Sequence, residues 1–328
     1  MHPDTPERGR KNPLAWFRSL STEAKRTVVS VAFLAVLYIV IGLIRPVAFS
    51  PNNLSAMLQS GSILLLVSLG ATFVVMMGMI DLSVGSLVTL AGMSLAVLYG
   101  FIGDWAIPVA MLITIVVGIV NGSIVAFLRL PSFLVTLGTL SIIAGFALVI
   151  GNSYVSLSSP LITAVTLQRF GGIPIAMVWA AIVVVILSWI AVKTLFGRGA
   201  YAIGGNERVA LIAGVPVRRY KITAFALSAL TASMAGIILV GQLGAGSPTI
   251  GQNLLLDSVA AIAVGGTALT GGHGGPWATV IGAAIMTVVS NALVVLQVDA
   301  NIQGIVKGAI VIVAVYFTMD RKRGLIVK

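Results

Sequence analysis

The chain has 328 residues, of which 58% are hydrophobic and only 9% charged. Soluble domains carry about 25% charged residues, so this composition cannot supply a water-facing surface and the chain reads as an all-α, polytopic membrane protein. The net charge of +11 is concentrated in the ends and one central loop, without the basic helix and interleaved aromatics of a nucleic-acid binder, and the absence of cysteine excludes disulfides, thiolate metal sites and cysteine nucleophiles.

Residues 1–26 form a basic tail with Arg8, Arg10, Lys11, Arg18, Lys25 and Arg26, in which Trp16 to Leu20 read as a short interfacial helix. The first apolar run, Val28 to Ile44, is too long for a signal-peptide core and has no small-residue cleavage site after it. A bilayer needs about 20 apolar residues per helix, and cutting the chain at its polar and Gly/Pro breaks gives about ten spans. They fall near 27–45, 54–79, 83–101, 106–128, 133–151, 175–196, 222–242, 254–270, 276–298 and 302–318. With both termini inside, Arg129, the basic loop 197–221 and the tail 320–328 all lie on the cytoplasmic face, as the positive-inside rule requires. The transmembrane domain is thus expected over 27–319.

Several stretches stand out along this path. Gly78-Met79-Ile80-Asp81-Leu82-Ser83-Val84-Gly85 puts a carboxylate between two apolar spans. Asp81 reads either as a cap in a short cytoplasmic turn or as a pathway or hinge element in a broken helix. The outer loop 152–174 is rich in Ser and Thr, and serves either as a docking surface or as a solvated connector. The run from Gly265 to Pro276 is a glycine-rich turn holding His273, which has no second ligand nearby. Asp257 and Lys307 both fall within about two turns of the outer ends of their spans, so an ion pair between them would remove two isolated intramembrane charges; Lys307 snorkelling to the interface is the alternative. Shifting the chain by about 170 residues pairs Asn121 with Asn291, Val125 with Val295, Gly138 with Gly308 and Ala144 with Ala314. The matches are sparse, but spans two to five start outside and spans seven to ten start inside, so repeats there would be inverted.

The central loop, Gly197 to Lys221, carries Arg198, Arg208, Arg218, Arg219 and Lys221 against one acid, Glu207. It reads as water-exposed. Asn206 is a good N-cap, Glu207 to Ala213 form a short helix with an apolar side, and Gly214 with Pro216 closes it. A helix this short is marginal alone. It must pack on its own bundle or on a partner, and the residues alone leave the two even.

No Gly-Lys pair occurs, so there is no phosphate-binding loop of the Walker type, and neither a G-x-G-x-x-G nor an H-E-x-x-H motif is present. No catalytic, cofactor or metal site is expected. Taken in order, Ile80 to Ser86, Pro131-Ser132-Phe133-Leu134-Val135-Thr136-Leu137-Gly138-Thr139, Ala202 to Asn206 with Ala213-Gly214-Val215, Asp257 to Ala261 with Gly265-Gly266-Thr267, and Gly271-Gly272 resemble the inner-membrane permease subunits of bacterial ABC importers for monosaccharides, of the ribose, xylose, arabinose and galactoside type. The resemblance runs from about residue 50 to the C-terminus. It implies two permease subunits around one pathway, cytoplasmic ABC ATPase subunits, and a periplasmic sugar-binding protein. It also implies that Asn206, Glu207, Arg208, Leu211, Ile212 and Gly214 form the coupling helix to the ATPase. Beside Asp81 and Asp257, the pathway or gating candidates are Ser68, Thr72, Asn121, Gln242 and Asn291, each of which could instead simply bond between helices. An ion-coupled secondary transporter of a small polar solute is the alternative, and it would need an intramembrane ion site.

Overall fold

The computed structural model describes residues 22–151 and 153–318. The segment Trp16 to Leu20 and most of both basic tails lie outside the described residues. The elements in chain order are α1 (Thr22–Ile44), α2 (Pro51–Met76), α3 (Val84–Ile102), α4 (Ala106–Phe127), α5 (Ser132–Ile150), β1 (Val155–Ser156) and α6 (Pro160–Leu167). They continue with β2 (Arg169–Phe170), β3 (Ile173–Pro174), α7 (Ile175–Lys193), α8 (Leu195–Gly205), α9 (Glu207–Ile212), α10 (Val217–Leu243), β4 (Ala245–Gly246), α11 (Leu254–Val264), α12 (Pro276–Val295) and α13 (Ala300–Thr318). The protein is an all-α, polytopic membrane protein. Among the described residues six stretches are long and apolar enough to cross a bilayer, and one of them, Val84–Phe127, joins α3 and α4 through a tight turn at Gly103–Trp105. Val28–Ile44, Leu254–Val264 and Ala300–Tyr316 are shorter apolar helices.

Helices α2 and α10 form the centre. Most of the apolar window of α2 (78%) is buried, against 17% for peripheral α5. Hydrocarbon gives no hydrophobic drive between spans, so close contact of small residues must hold them. Gly70 of α2 faces Thr231 and the Leu227 carbonyl of α10, while Gly118 and Gly122 of α4 face Phe225 and Ile222. A Cβ at any of these glycines would collide with its neighbour, so the spacing of α10 from both α2 and α4 is set by their absence. The contacts also recur in pairs: α2 packs on α12 as α10 packs on α4, α3 on α5 as α11 on α13, α3 on α4 as α11 on α12, and α3 on α10 as α11 on α2.

The two ends of the bundle differ. One end carries the basic segment; the other is closed by α6 and two short antiparallel pairings, β1 with β4 and β2 with β3. Ser159 caps α6 by accepting from the Ile162 amide at 3.2 Å, with Pro160 in the first turn. The expected Ser/Thr-rich loop 152–174 is therefore largely built. Thr166 packs on Gly241 of α10, and the Gln59 side-chain amide donates to its carbonyl at 3.0 Å.

Two expectations on the basic side need correction. The span expected over 254–270 is helical only over Leu254–Val264, because the Gly-rich run from Gly265 takes left-handed backbone at Gly266, Gly271, Gly272, Gly274 and Gly275. The segment expected as a water-exposed loop from Gly197 begins with a helix, α8, whose Gly197, Gly199, Ala200 and Ile203 are buried. Four glycines lower its helix propensity, yet three of them, Gly197, Gly199 and Gly204, let the helix lie directly against the Ile190 and Ala191 carbonyls, the Tyr220 ring and the end of α2.

Candidate functional site

The basic end presents one small, defined element. Asn206 has extended backbone, and its Oδ1 accepts from the Arg208 and Val209 amides at 3.0 and 3.2 Å, so it caps α9. The other end closes with Gly214 at φ 81°, the Gly214 amide donating to the Leu211 carbonyl and the Val215 amide to the Ala210 carbonyl, both at 3.0 Å. This pairing is a Schellman stop, which satisfies the last free carbonyls. Ala210 is buried, and Lys221 Nζ holds Glu207 Oε1 at 2.8 Å, so α9 is tied to α10 on its inner side. Its outer side shows Val209, Leu211 and Ile212, with Ile212 86% exposed. Arg208 lies on this same short helix, and Arg218 sits over the Phe127 ring at 5.4 Å.

A second cluster surrounds the break between α2 and α3. Asp81 is buried rather than set in a solvated turn. Its Oδ1 accepts from the Ser83 amide (2.9 Å) and hydroxyl (2.6 Å), and its Oδ2 accepts from the Ser228 hydroxyl of α10 at 2.8 Å. Asp81 thus pins the turn before α3; Ser83 is the N-cap residue of α3 but makes no side-chain cap bond. Asn121 Nδ2 donates to Ser83 Oγ at 3.3 Å, and Asn121 Oδ1 accepts from Thr139 Oγ1 at 2.6 Å. The Ile80 and Leu82 amides donate to Ser132 Oγ and Thr136 Oγ1, each at 3.0 Å. Backbone freed by a broken helix in a bilayer must be satisfied by side chains or water; here Ser132 and Thr136 of α5 take the Ile80 and Leu82 amides and Asp81 takes the Ser83 amide, while α4 and α10 hold the Ser83 and Asp81 side chains. Ser132, Thr136 and Thr139 stand in the Pro131–Thr139 stretch that carries the family resemblance, but nothing there singles them out as site residues, and Ser228 carries no signal as one hydroxyl on a long helix.

The other candidates separate into distinct places. Ser68 and Thr72 are buried in α2: Ser68 Oγ donates to the Leu64 carbonyl, and Thr72 Oγ1 lies 2.7 Å from Thr279 Oγ1 of α12. Asn291 exchanges amide hydrogen bonds with Asn53 at 3.0 and 3.1 Å, linking α12 to α2. Lys307 Nζ of α13 lies 2.8 Å from Asp257 Oδ2 of α11. Gln242 lines a cavity of about 310 Å³ with Ser158, Ser159, Thr163 and the backbone turn at Gly244, and its Nε2 is buried with no hydrogen-bond partner. A smaller cavity of about 210 Å³ lies between Ser86, Thr89, Leu140, Ala144 and Gln252. Asp81, Asn121 and Ser83 share one network, whereas Asn291, Gln242 and the Asp257–Lys307 pair stand apart from it. Among the described residues no group of three His, Asp or Glu side chains could hold a metal ion.

A family model described as "Branched-chain amino acid transport system / permease component" matches residues 53–315. The chain belongs to this permease family. The permease is 36% identical over 305 residues to the ribose import permease protein RbsC of Bacillus subtilis, covering 88% of this chain and 91% of that one. It is 36% identical over 306 residues to RbsC of Escherichia coli, covering 90% and 93%. It is 32% identical over 340 residues to the xylose transport system permease protein XylH of Escherichia coli, covering 84% and 86%. The matched region begins within α2 and ends within α13, so it takes in both the capped helix α9 and the Asp81 network of the permease.

Proposed function

We propose that the permease is the transmembrane subunit of an ATP-driven ABC importer that moves a monosaccharide, delivered by a periplasmic binding protein, by alternating access. The ribose and xylose functions of its relatives support the substrate class. The observation that carries the coupling step is α9: a helix capped at both ends, pinned inside by Ala210 and Glu207–Lys221, yet apolar and open at Val209, Leu211 and Ile212. A two-turn helix is not stable alone, and an exposed apolar end on a basic, water-side segment suits insertion into a cleft of an ATPase subunit.

On this reading the chain crosses the inner membrane about ten times, with 27–319 as the permease domain and the segments 1–26 and 320–328 as cytoplasmic tails. The basic end of the bundle faces the cytoplasm and the α6 end faces the binding protein. The paired contacts of α2–α5 with α10–α13 support an inverted repeat of spans 2–5 and 7–10. A second permease subunit completes the pathway. Helices α5 and α13, at equivalent places in the two halves, suit that contact, since Gly138, Gly145, Gly304 and Gly308 have open space where a Cβ would stand. Asp81, Asn121 and the Asp257–Lys307 pair then act as gating elements, Gln242 lies near the entry, and Ser68, Thr72 and Asn291 serve packing between helices. ATP hydrolysis resides in the separate ATPase.

Affinity purification of the tagged permease from its own host tests the coupling step. The wild-type chain should retain an ABC ATPase, and a Leu211→Asp, Ile212→Asp variant should lose it at equal membrane abundance. Undiminished recovery of the ATPase with that variant would mean α9 is not the docking point.

A further inference from the structure

We propose that a glycine knot formed by Gly78, Gly204, Gly271 and Gly272 is the joint through which displacement of α9 reaches the break at Asp81 and the start of α12. This rests on the reading of α9 as the ATPase-docking element and adds how its movement enters the bundle.

Only Asn206 separates α9 from α8, and its amide donates to the Ala202 carbonyl at 3.0 Å, so the two short helices move as a bent lever. The lever lies on α2 and α10, with Phe196 stacked on Phe73 at 5.5 Å and edge-on to Tyr220 at 5.2 Å. At its bend, beside Asn206, three backbones meet without side chains between them. A Cβ on Gly204 would collide with the Met76 carbonyl and the Gly272 amide, and one on Gly271 would lie 2.6 Å from Gly78 N and 2.9 Å from Gly204 Cα. The Gly272 amide donates to the Met76 carbonyl at 2.9 Å, and Tyr201 Oη donates to the Gly274 carbonyl at 2.7 Å. Gly78, Gly271 and Gly272 take φ of 73, 83 and 79°, a region that side chains disfavour.

Backbone packed on backbone has no rotamer in which to absorb a shift, and dense packing transmits strain. What lies beyond the knot gives that shift a direction. Residues 77–83 follow Met76 and carry Asp81, which is bonded to Ser228, while the Ile80 and Leu82 amides bond to Ser132 and Thr136 of α5. Gly275 and Pro276 follow the other side of the knot and begin α12, where the Gly275 amide donates to Thr267 Oγ1 at 3.1 Å. By contrast Gly205, next to Gly204, has nothing within 4 Å of a built Cβ. The adjacent pair therefore separates close contact from helix propensity.

The chain has no cysteine, so Ile80→Cys gives a single reporter in the broken segment. The permease–ATPase complex purified from the host is labelled with a maleimide, with and without a non-hydrolysable ATP analogue. The reporter chain should show a nucleotide-dependent labelling rate. Gly204→Ala should reduce that dependence roughly 2- to 30-fold, the range that residues coupling two sites command, with ATPase recovery unchanged; Gly205→Ala should leave it intact. A reporter that ignores nucleotide, or a Gly204→Ala complex responding as the wild type does, overturns the proposal. Should Gly204→Ala fail to assemble, Tyr201→Phe takes its place, with at least a roughly twofold loss of response expected and a full response overturning the joint. Failure of the otherwise wild-type reporter chain to retain the ATPase would instead overturn the docking role of α9.

Discussion

Breaking the Asp257–Lys307 pair offers a quantitative check on the bundle. The charges sit 2.8 Å apart between α11 and α13, with side-chain exposures of 12% for Asp257 and 19% for Lys307. At an effective dielectric near 20 their attraction is about 6 kcal/mol before desolvation, which offsets most of it. The net value of the pair is therefore small, but the value of either partner to the other is not. Lys307→Met leaves a carboxylate among apolar helices, at a cost of about 3 kcal/mol, the scale both of a broken buried pair and of a lone charge in a bilayer. Asp257→Asn leaves an unpaired ammonium at similar cost, softened by snorkelling. The double variant removes both charges and should return to within about 1 kcal/mol of the wild type, a coupling energy of about 5 kcal/mol. Equilibrium unfolding in detergent micelles, read by Trp fluorescence, measures the cycle. Additive losses in the double variant would refute the reasoning, because two charges that do not meet cannot rescue one another.

Three further substitutions probe other elements. Asn121→Ala should cost about 2–3 kcal/mol in the same unfolding assay, since it strands Thr139 Oγ1 and takes a donor from Ser83; a loss below about 0.5 kcal/mol would mean the network is relaxed by water. Gly70→Val should abolish stable accumulation in the membrane, because its Cβ would strike Thr231 and the Leu227 carbonyl in the central helix pair; normal abundance on a membrane immunoblot would show that α2 and α10 are not held by that contact. Gly214→Val puts a β-branched residue at φ 81° and undoes the stop of α9. It should insert at normal levels and yet lose most transport, and wild-type uptake would show that the helix end is unimportant.

The long apolar runs made most of the helices legible in sequence. Most of their boundaries fall within a few residues of those expected, because the breaks at Pro51, Pro131, Pro174 and Pro276 coincide with helix starts. The caps of α9 were equally readable, since Asn206, Gly214 and Pro216 each have a local mechanism. Helix α8 was not, because its glycines argue against helix locally and only contacts with α2, α7 and α10 make them favourable. Helix α6 had a signal, Ser159-Pro160, hidden in a Ser/Thr-rich stretch. The Asp81 network was legible only in part: Asp81 and Asn121 stand out in the sequence, but Ser228 lies 147 residues from Asp81 and nothing in sequence spacing brings the two together. The same limit applies to Thr72 with Thr279 and to Asn53 with Asn291, where periodicity places each residue on a helix and not on a partner.

The central claim is ATP-driven sugar import, and uptake under separated energy sources tests it most directly. Cells carrying the permease, its ATPase and its binding protein would be given labelled ribose and labelled xylose in parallel. Uptake of one sugar should survive a protonophore that collapses ion gradients while ATP is maintained, and should stop when the ATPase subunit is deleted. Uptake driven by an ion gradient in cells lacking every ATPase partner would contradict the account.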